Sequence, residues 1–388
     1  MHMDYMIDNV EEERARLRKE RMARMRREKQ RQMKRRRRMK MIMKCVGAMT
    51  AVLVVVVVAL SSFGAKKEEE VVNANVASET AAIEAEELAM QNVEAVETEE
   101  IEIVPEPVPL AVASGEVYRF ETTPTTVSIY NDEILSSNII LVNEDTDKIV
   151  ASKGAKERIS PASMTKVLTI LVAAENITEE QLDDTFVMTR EITDYGYIND
   201  CSAVGFLDGE KITIRDLFYG TILPSGSDAA MGLATYVAGS HEAFVEMMND
   251  KLVELGLGET SHYTNCVGIY NKEHYSTVYD MAVIMKAAIQ NEFCKTILAE
   301  HNYTTEATLE HPEGINISNW FLRRIEDYDT GGEVLCAKTG YVDQSRSCAV
   351  SYGTFADGSP YICVTVGSRS SWKCIYDHIE IYNEYVTT

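Results

Sequence analysis

Residues 45–65, CVGAMTAVLVVVVVALSSFGA, carry no charged side chain, and they divide the 388-residue chain into parts that cannot share one core. As a helix rising about 1.5 Å per residue the segment reaches roughly 31 Å, one hydrocarbon thickness. A buried soluble helix does not fit, because both flanks are charge runs: Arg at 35–38 before it, Glu at 68–70 after it. A secretory signal has a shorter apolar region behind a short basic stretch, with small residues before the cut. Here 44 residues precede the span, and Phe63 spoils a small-residue pattern ending at Ala65. The sequence therefore favours an uncleaved signal-anchor over a cleaved signal. The positive-inside rule places residues 1–44 in the cytoplasm and everything after the span outside.

Charge sorts the chain into zones around that break. The full net charge is −23. Residues 1–44 contribute +10, residues 66–115 contribute −11 and residues 116–388 contribute −22. The basic tail reads as a charged juxtamembrane helix over 11–40 touching anionic lipid, in preference to a nucleic-acid arm. Residues 66–115 have no aromatic residue and end in Pro105-Glu-Pro-Val-Pro109, so they read as a self-repelling acidic stem. Residues 116–388 are long enough for a large core. Their acidity argues against nucleic acid as a partner of the folded part. Of eight cysteines, seven lie outside the span, and no C-x-x-C occurs, so neither a metal nor a disulfide pattern is expected.

The globular part mixes helix and strand. Residues 139–142 and 148–152 flank a polar turn and predict a hairpin. Ser160 and Pro161 predict a helix start, Ser as N-cap and Pro at the first position. The run that follows is apolar nearly all round and should be buried. Capping boxes begin at Thr213 and Thr277, and Gly256 stops a helix running from His241. Residues 334–340, 347–354 and 361–367 predict strands, the last two an antiparallel hairpin. Trp372, Ile375, Ile379 and Tyr382 share one face of a C-terminal helix.

Ser163-Met-Thr-Lys166 puts a hydroxyl and an amine three residues apart, hence on one helical face. A serine in a first helical turn sits among free N–H groups that favour a developing oxyanion. A lysine buried there loses proton affinity and becomes a base for the serine. The pattern is common by chance, and Ser370-Ser-Trp-Lys373 repeats it. Only the first is followed by Ser225-Gly-Ser227 and Lys338-Thr339-Gly340.

The three elements in that order are the signature of class A β-lactamases and penicillin-binding proteins. Residues 120–388 resemble the low-molecular-weight penicillin-binding proteins, the serine D-alanyl-D-alanine carboxypeptidases of peptidase family S11. Pro161-Ala-Ser-Met-Thr-Lys166, Leu223-Pro-Ser-Gly-Ser-Asp-Ala-Ala230, Gly239-Ser-His-Glu-Ala-Phe-Val245 and Lys338-Thr-Gly-Tyr341 carry the likeness. The resemblance implies a mixed α+β fold of the serine β-lactamase/transpeptidase type, an antiparallel sheet flanked by helices plus a helical lobe. It implies a Ser163 acyl-enzyme, with Lys166 as base and Ser225 passing a proton to the leaving amine. Backbone N–H groups of Ser163 and Tyr341 would form the oxyanion hole. Lys338, Thr339 and Gly340, with Ser227 and Arg369, would bind substrate. The implied partners are a peptidoglycan stem peptide ending in D-Ala-D-Ala and β-lactam antibiotics, with no cofactor. One departure stands out: the second motif usually ends in Asn, and here it ends in Ser227. That difference keeps open a weak or inactive muropeptide-binding homologue. A class A-like β-lactamase is less well supported, because Glu259 has Tyr263 where a Glu-x-x-x-Asn loop needs Asn.

Overall fold

The computed structural model describes residues 117–386. The tail over 1–44, the span over 45–65 and the stem over 66–115 lie outside the described residues. Among the described residues no helix is long and apolar enough to cross a membrane.

Three strands come first: β1 (Glu121–Ser128), β2 (Asn138–Asn143) and β3 (Lys148–Lys153). β2 and β3 form the antiparallel hairpin expected around residues 143–147. Its turn is closed by the Asn143 side chain, which accepts the Thr146 N–H at 3.0 Å. A 3₁₀ turn, Ala162–Thr165, then runs into α1 (Lys166–Ala174), whose nine residues are all buried. Next come β4 (Thr185–Val187), α2 (Arg190–Ile198), β5 (Lys211–Thr213), α3 (Ile214–Ile222), α4 (Ser227–Ala238) and α5 (His241–Glu254). Then follow α6 (Val278–Ile289), α7 (Glu292–Ala299), β6 (Asn302–Thr304), β7 (Asn316–Ser318) and α8 (Leu322–Ile325). The chain ends in β8 (Gly332–Val342), β9 (Arg346–Phe355), β10 (Pro360–Ser368) and α9 (Ser371–Tyr385).

Six strands form one sheet in the order β1-β3-β2-β10-β9-β8. It is not wholly antiparallel as expected, since β1 runs parallel to β3 at the edge. The reason is topological: β2 runs opposite to β1 and β3 runs opposite to β2, so β1 and β3 point the same way. Alternation along the central strands divides two cores. Ile140 and Val142 of β2, with Ile362 and Val364 of β10, face the helical core that contains α1 and α6. Ile139, Leu141 and Cys363 face the opposite core with Ile381 and Tyr382 of α9. A strand buried on both faces reads as a continuous apolar run, which is how these segments appear in the sequence.

The Thr277 cap holds, its hydroxyl accepting the Asp280 N–H at 2.9 Å. The Thr213 box is only half formed. Thr213 accepts the Asp216 N–H, but the Asp216 carboxylate turns away to the Tyr303 hydroxyl at 2.7 Å and the Glu306 N–H at 3.1 Å. Ser160 is not a cap: Pro161 takes that position without a side-chain bond, and the Ser160 hydroxyl is buried without a partner. The seven cysteines among the described residues are all free thiols.

Candidate active site

The 3₁₀ turn is what joins Ser163 to Lys166. In a 3₁₀ helix, side chains at i and i+3 eclipse, so the pair stands in line rather than fanned around an α-helix. Lys166 Nζ lies 3.1 Å from Ser163 Oγ and donates to the Val267 carbonyl at 2.8 Å. Ser163 Oγ also reaches that carbonyl, at 3.4 Å.

The turn is pinned from two sides. Ala162 sits at φ 47°, unusual for a residue with a side chain. A Cβ added at Gly268, whose φ is +85°, would stand 1.9 Å from the Ala162 carbonyl oxygen. A Cβ at Gly340 would stand 2.9 Å from the Ser163 nitrogen. The glycine of the third motif thus lets edge strand β8 pass directly beside the backbone N–H of Ser163. Tyr341 follows on the same strand, with an exposed side chain. Ser225 is a second non-glycine residue in the left-handed region, at φ 62°. Such positions cost about 1–3 kcal/mol each and persist where surrounding structure fixes them.

Both motif lysines are buried. Lys166 is 2% exposed with no carboxylate within 4 Å among the described residues, and burial pulls its pKa down to about 8. The negative charge of Asp228 opposes that fall. Lys338 is also 2% exposed, and burial together with the nearby Lys166 charge pushes its pKa well below the usual lysine range. Its ammonium donates to Ser225 Oγ at 2.9 Å and to the Thr339 carbonyl at 2.8 Å. Lys338 therefore points into the protein and onto the second motif. Thr339 and Gly340 are half-buried on β8.

Two other expected residues lie elsewhere. Ser227 opens α4, but its hydroxyl is fully buried against Gly196 and the Cys201 thiol and makes no well-formed hydrogen bond. Gly196 of α2 lies over that hydroxyl. Arg369 is exposed just after β10, without an ion pair among the described residues. Ser368 pairs with Ser347, which pairs with Tyr341, so two strand spacings, about 10 Å, separate Arg369 from Tyr341.

Sequence reading missed the residues that shape the walls. The Asn265 side-chain oxygen accepts the N–H groups of Val267, Gly268 and Ile269 at 3.2, 2.7 and 3.0 Å, and so aims the Val267 carbonyl at Lys166. The Asn-x-x-Gly spacing was the available signal. Asp228, 3% exposed, accepts from the Val204, Gly205, Phe206 and Ala229 N–H groups and ties the 204–206 loop to α4. His274 stacks on Tyr263 with centroids 4.7 Å apart. Its Nδ1 accepts the Thr264 N–H, which leaves the proton on Nε2 facing Thr165 Oγ1 at 2.9 Å. Burial holds that imidazole neutral, with a pKa of about 3.

The arrangement provides a nucleophile with a weakly basic amine in contact, a second lysine on a second serine, and a strand edge beside the nucleophile's N–H. Among the described residues no His/Cys/Asp/Glu group is arranged to hold a metal. The second serine–lysine repeat has a different use: Ser370 caps α9 by accepting the Lys373 N–H at 3.2 Å.

Comparison with known proteins identifies relatives of this chain. The D-alanyl-D-alanine carboxypeptidase family model, Peptidase_S11, matches residues 124–370. The D-alanyl-D-alanine carboxypeptidase DacF of Bacillus subtilis is 31% identical over 216 residues, 55% of this chain and 52% of that protein. DacC of Escherichia coli, another D-alanyl-D-alanine carboxypeptidase, is 31% identical over 188 residues, 46% of this chain and 47% of that protein. The chain thus spans about half the length of these curated relatives. The crystal structure of the Streptomyces K15 DD-transpeptidase superposes with a TM-score of 0.59 at 27% identity, covering 66% of this chain and 99% of that one.

Proposed function

The chain belongs to the D-alanyl-D-alanine carboxypeptidase family, and from that premise we propose that it removes the terminal D-Ala from peptidoglycan stem peptides and is acylated by β-lactams. The observation that carries the proposal is the contact between Ser163 Oγ and the buried, weakly basic Lys166 amine at 3.1 Å.

In the proposed reaction Ser163 Oγ attacks the carbonyl between the two D-Ala residues while neutral Lys166 takes its proton. The tetrahedral oxyanion receives the N–H groups of Ser163 and Tyr341; one such donor is typically worth about 3–4 kcal/mol. Collapse breaks the C–N bond, and Ser225, held by Lys338, relays to the leaving amine the proton that Lys166 took, which leaves Lys166 neutral to activate the water. Water then attacks the ester and releases the shortened peptide. The substrate's terminal carboxylate is met by Thr339, by Arg369 and by Lys338. An arriving anion offsets the burial and repulsion that lower the Lys338 pKa, so binding itself favours the charged lysine. The apolar span over 45–65 anchors the chain in a bacterial membrane, with the catalytic part outside and the basic tail in the cytoplasm.

The test uses the full-length chain in detergent, with a labelled penicillin and a peptide ending in D-Ala-D-Ala, beside Ser163→Ala. A lasting adduct and D-Ala release that both need Ser163 are the expected result. Rapid turnover of the penicillin would point to a β-lactamase instead. Absence of both adduct and release would leave a muropeptide-binding protein without catalysis. Anchoring has a separate check: a mature chain that begins after Ala65 and washes off membranes would sink it.

A further inference from the structure

Residues 116–388 carry about two acidic side chains for each basic one, yet one cavity has no carboxylate in its wall. Its volume is about 340 Å³, and it is lined by Arg158, Ser160, Lys272, Tyr275, Ser345 and Gly367 among others. None of the residues assigned to the reaction lines it. The Arg158 guanidinium lies 3.4 Å from the Tyr275 ring centroid, so stacking fixes its position while its N–H edges stay available. Arg158 makes no ion pair among the described residues. Lys272 has only Glu273, 3.7 Å away, and both are exposed. The Ser160 hydroxyl is buried and unpartnered. Glu157, next to Arg158 in the chain, is engaged by Asn138 Nδ2 at 2.8 Å. Two cations in a wall without an acid suit a carboxylate or phosphate.

The cavity is close to the reaction centre. Ser160 is three residues from Ser163, so chain length limits their separation to about 11 Å. Ser345 and Gly367 are joined by a Gly367 N–H to Ser345 carbonyl bond of 3.0 Å, at the end of the sheet where β8 leaves Tyr341. Peptide residues advance at most about 3.5 Å each. A side chain one to three residues before the cleaved bond therefore spans the gap.

We propose that this cavity is an anion subsite that receives a carboxylate carried on the substrate peptide upstream of its D-Ala pair. The inference rests on the carboxypeptidase reading and specifies which peptides that site prefers. A free phosphate, or the phosphate of a wall polymer, is another source of the same chemistry.

The experiment measures fluorescence anisotropy of two labelled peptides on the full-length Ser163→Ala chain in detergent. One peptide has Glu immediately before D-Ala-D-Ala, the other Gln. The Glu peptide should bind about tenfold more tightly. Arg158→Gln with Lys272→Gln should erase that preference and leave the Gln peptide unchanged. Equal affinity for the two peptides, or a preference that survives the double substitution, overturns the proposal. Inorganic phosphate separates the sources. Displacement of the Glu peptide only down to the Gln level supports a peptide subsite that small anions can enter. Phosphate binding with no peptide preference overturns the peptide as occupant. Release of D-Ala from the Gln peptide by the unsubstituted chain is read separately, since it does not engage the cavity. A Glu preference in binding without any release would sink the carboxypeptidase reading and leave the subsite standing.

Discussion

Among the described residues four lysines are almost fully buried, and they form two contrasting pairs. Lys251 and Lys286 are 6% and 7% exposed. Lys251 contacts Glu175 at 2.6 Å and Glu254 at 2.7 Å. Lys286 contacts Asp147 at 2.6 Å and Glu144 at 3.2 Å. Burial opposes the Lys286 charge, but hydrogen bonds and attraction from those two carboxylates hold its pKa above the usual range. Lys166 and Lys338 are as deeply buried but have a serine hydroxyl and a backbone carbonyl as partners. Their pKa values fall. The lesson is that burial alone does not make a lysine reactive. Burial without a carboxylate in contact does, because a hydroxyl and a carbonyl offset the ammonium's lost hydration less than an ion pair would.

The largest effect expected from breaking that contrast is at Lys166 itself. Lys166→Arg places an always-charged group beside Ser163 and removes the base. Penicillin acylation, followed by stopped-flow fluorescence, should slow by about 10³-fold. A rate within tenfold of the native chain would show that Lys166 is not the base.

A pH profile tests the same base without mutation. Lys166 is protonated below its pKa of about 8 and takes the serine proton only when neutral. Acylation should therefore rise close to tenfold between pH 6 and 7 and level off above pH 8. A flat profile across that range would assign the proton transfer to another group.

Turning the reactive pair into the structural kind sharpens the comparison. Cys201 lies near enough to Lys166 for a charge at either position to be felt at the other, and burial pushes its thiol pKa up. Cys201→Asp supplies the missing carboxylate and should raise the Lys166 pKa. The acylation inflection moves above 8, and the rate at pH 7 falls several-fold, recovering at high pH. Loss of rate that high pH does not restore would mean damage to the site.

The converse change acts on stability. Glu175→Gln removes one partner of buried Lys251. Burial pushes the Glu175 pKa up despite its ion pair, and Glu254 remains, so the loss is about 2 kcal/mol rather than the full cost of an orphaned charge. Thermal denaturation should show a Tm lower by several degrees, with penicillin acylation unchanged. The smallest effect is at the repeated motif: Ser370→Ala removes only a helix cap. It should cost about 1 kcal/mol in chemical denaturation and nothing in acylation.

Much of the site is legible in the sequence because its chemistry is local in spacing. Ser163 and Lys166 are three residues apart, and any helical turn brings them together. Strands around Lys338 and the hairpin after it follow from alternation and turn residues. The Ser160 cap fails because Ala162 is forced into a left-handed conformation between Gly268 and Gly340, which are 106 and 178 residues away. No local pattern contains that contact. Asp228 lies in the first turn of α4, yet its carboxylate ties a loop lying 22 to 24 residues earlier.

The sequence by itself determined the kinds of group available: a hydroxyl and an amine in register, two companion motifs in order, and an uncharged span dividing the charge zones. These depend on side-chain identity and short spacing, which folding does not alter. Only the tertiary structure decided how each group behaves. It gave Lys251 and Lys286 their carboxylates, withheld them from Lys166 and Lys338, covered Ser227 with α2, and left Arg158 unpaired at a cavity. The reason is physical. Proton affinity and reactivity follow from solvent exclusion and from charges a few ångströms away, and long-range packing sets both.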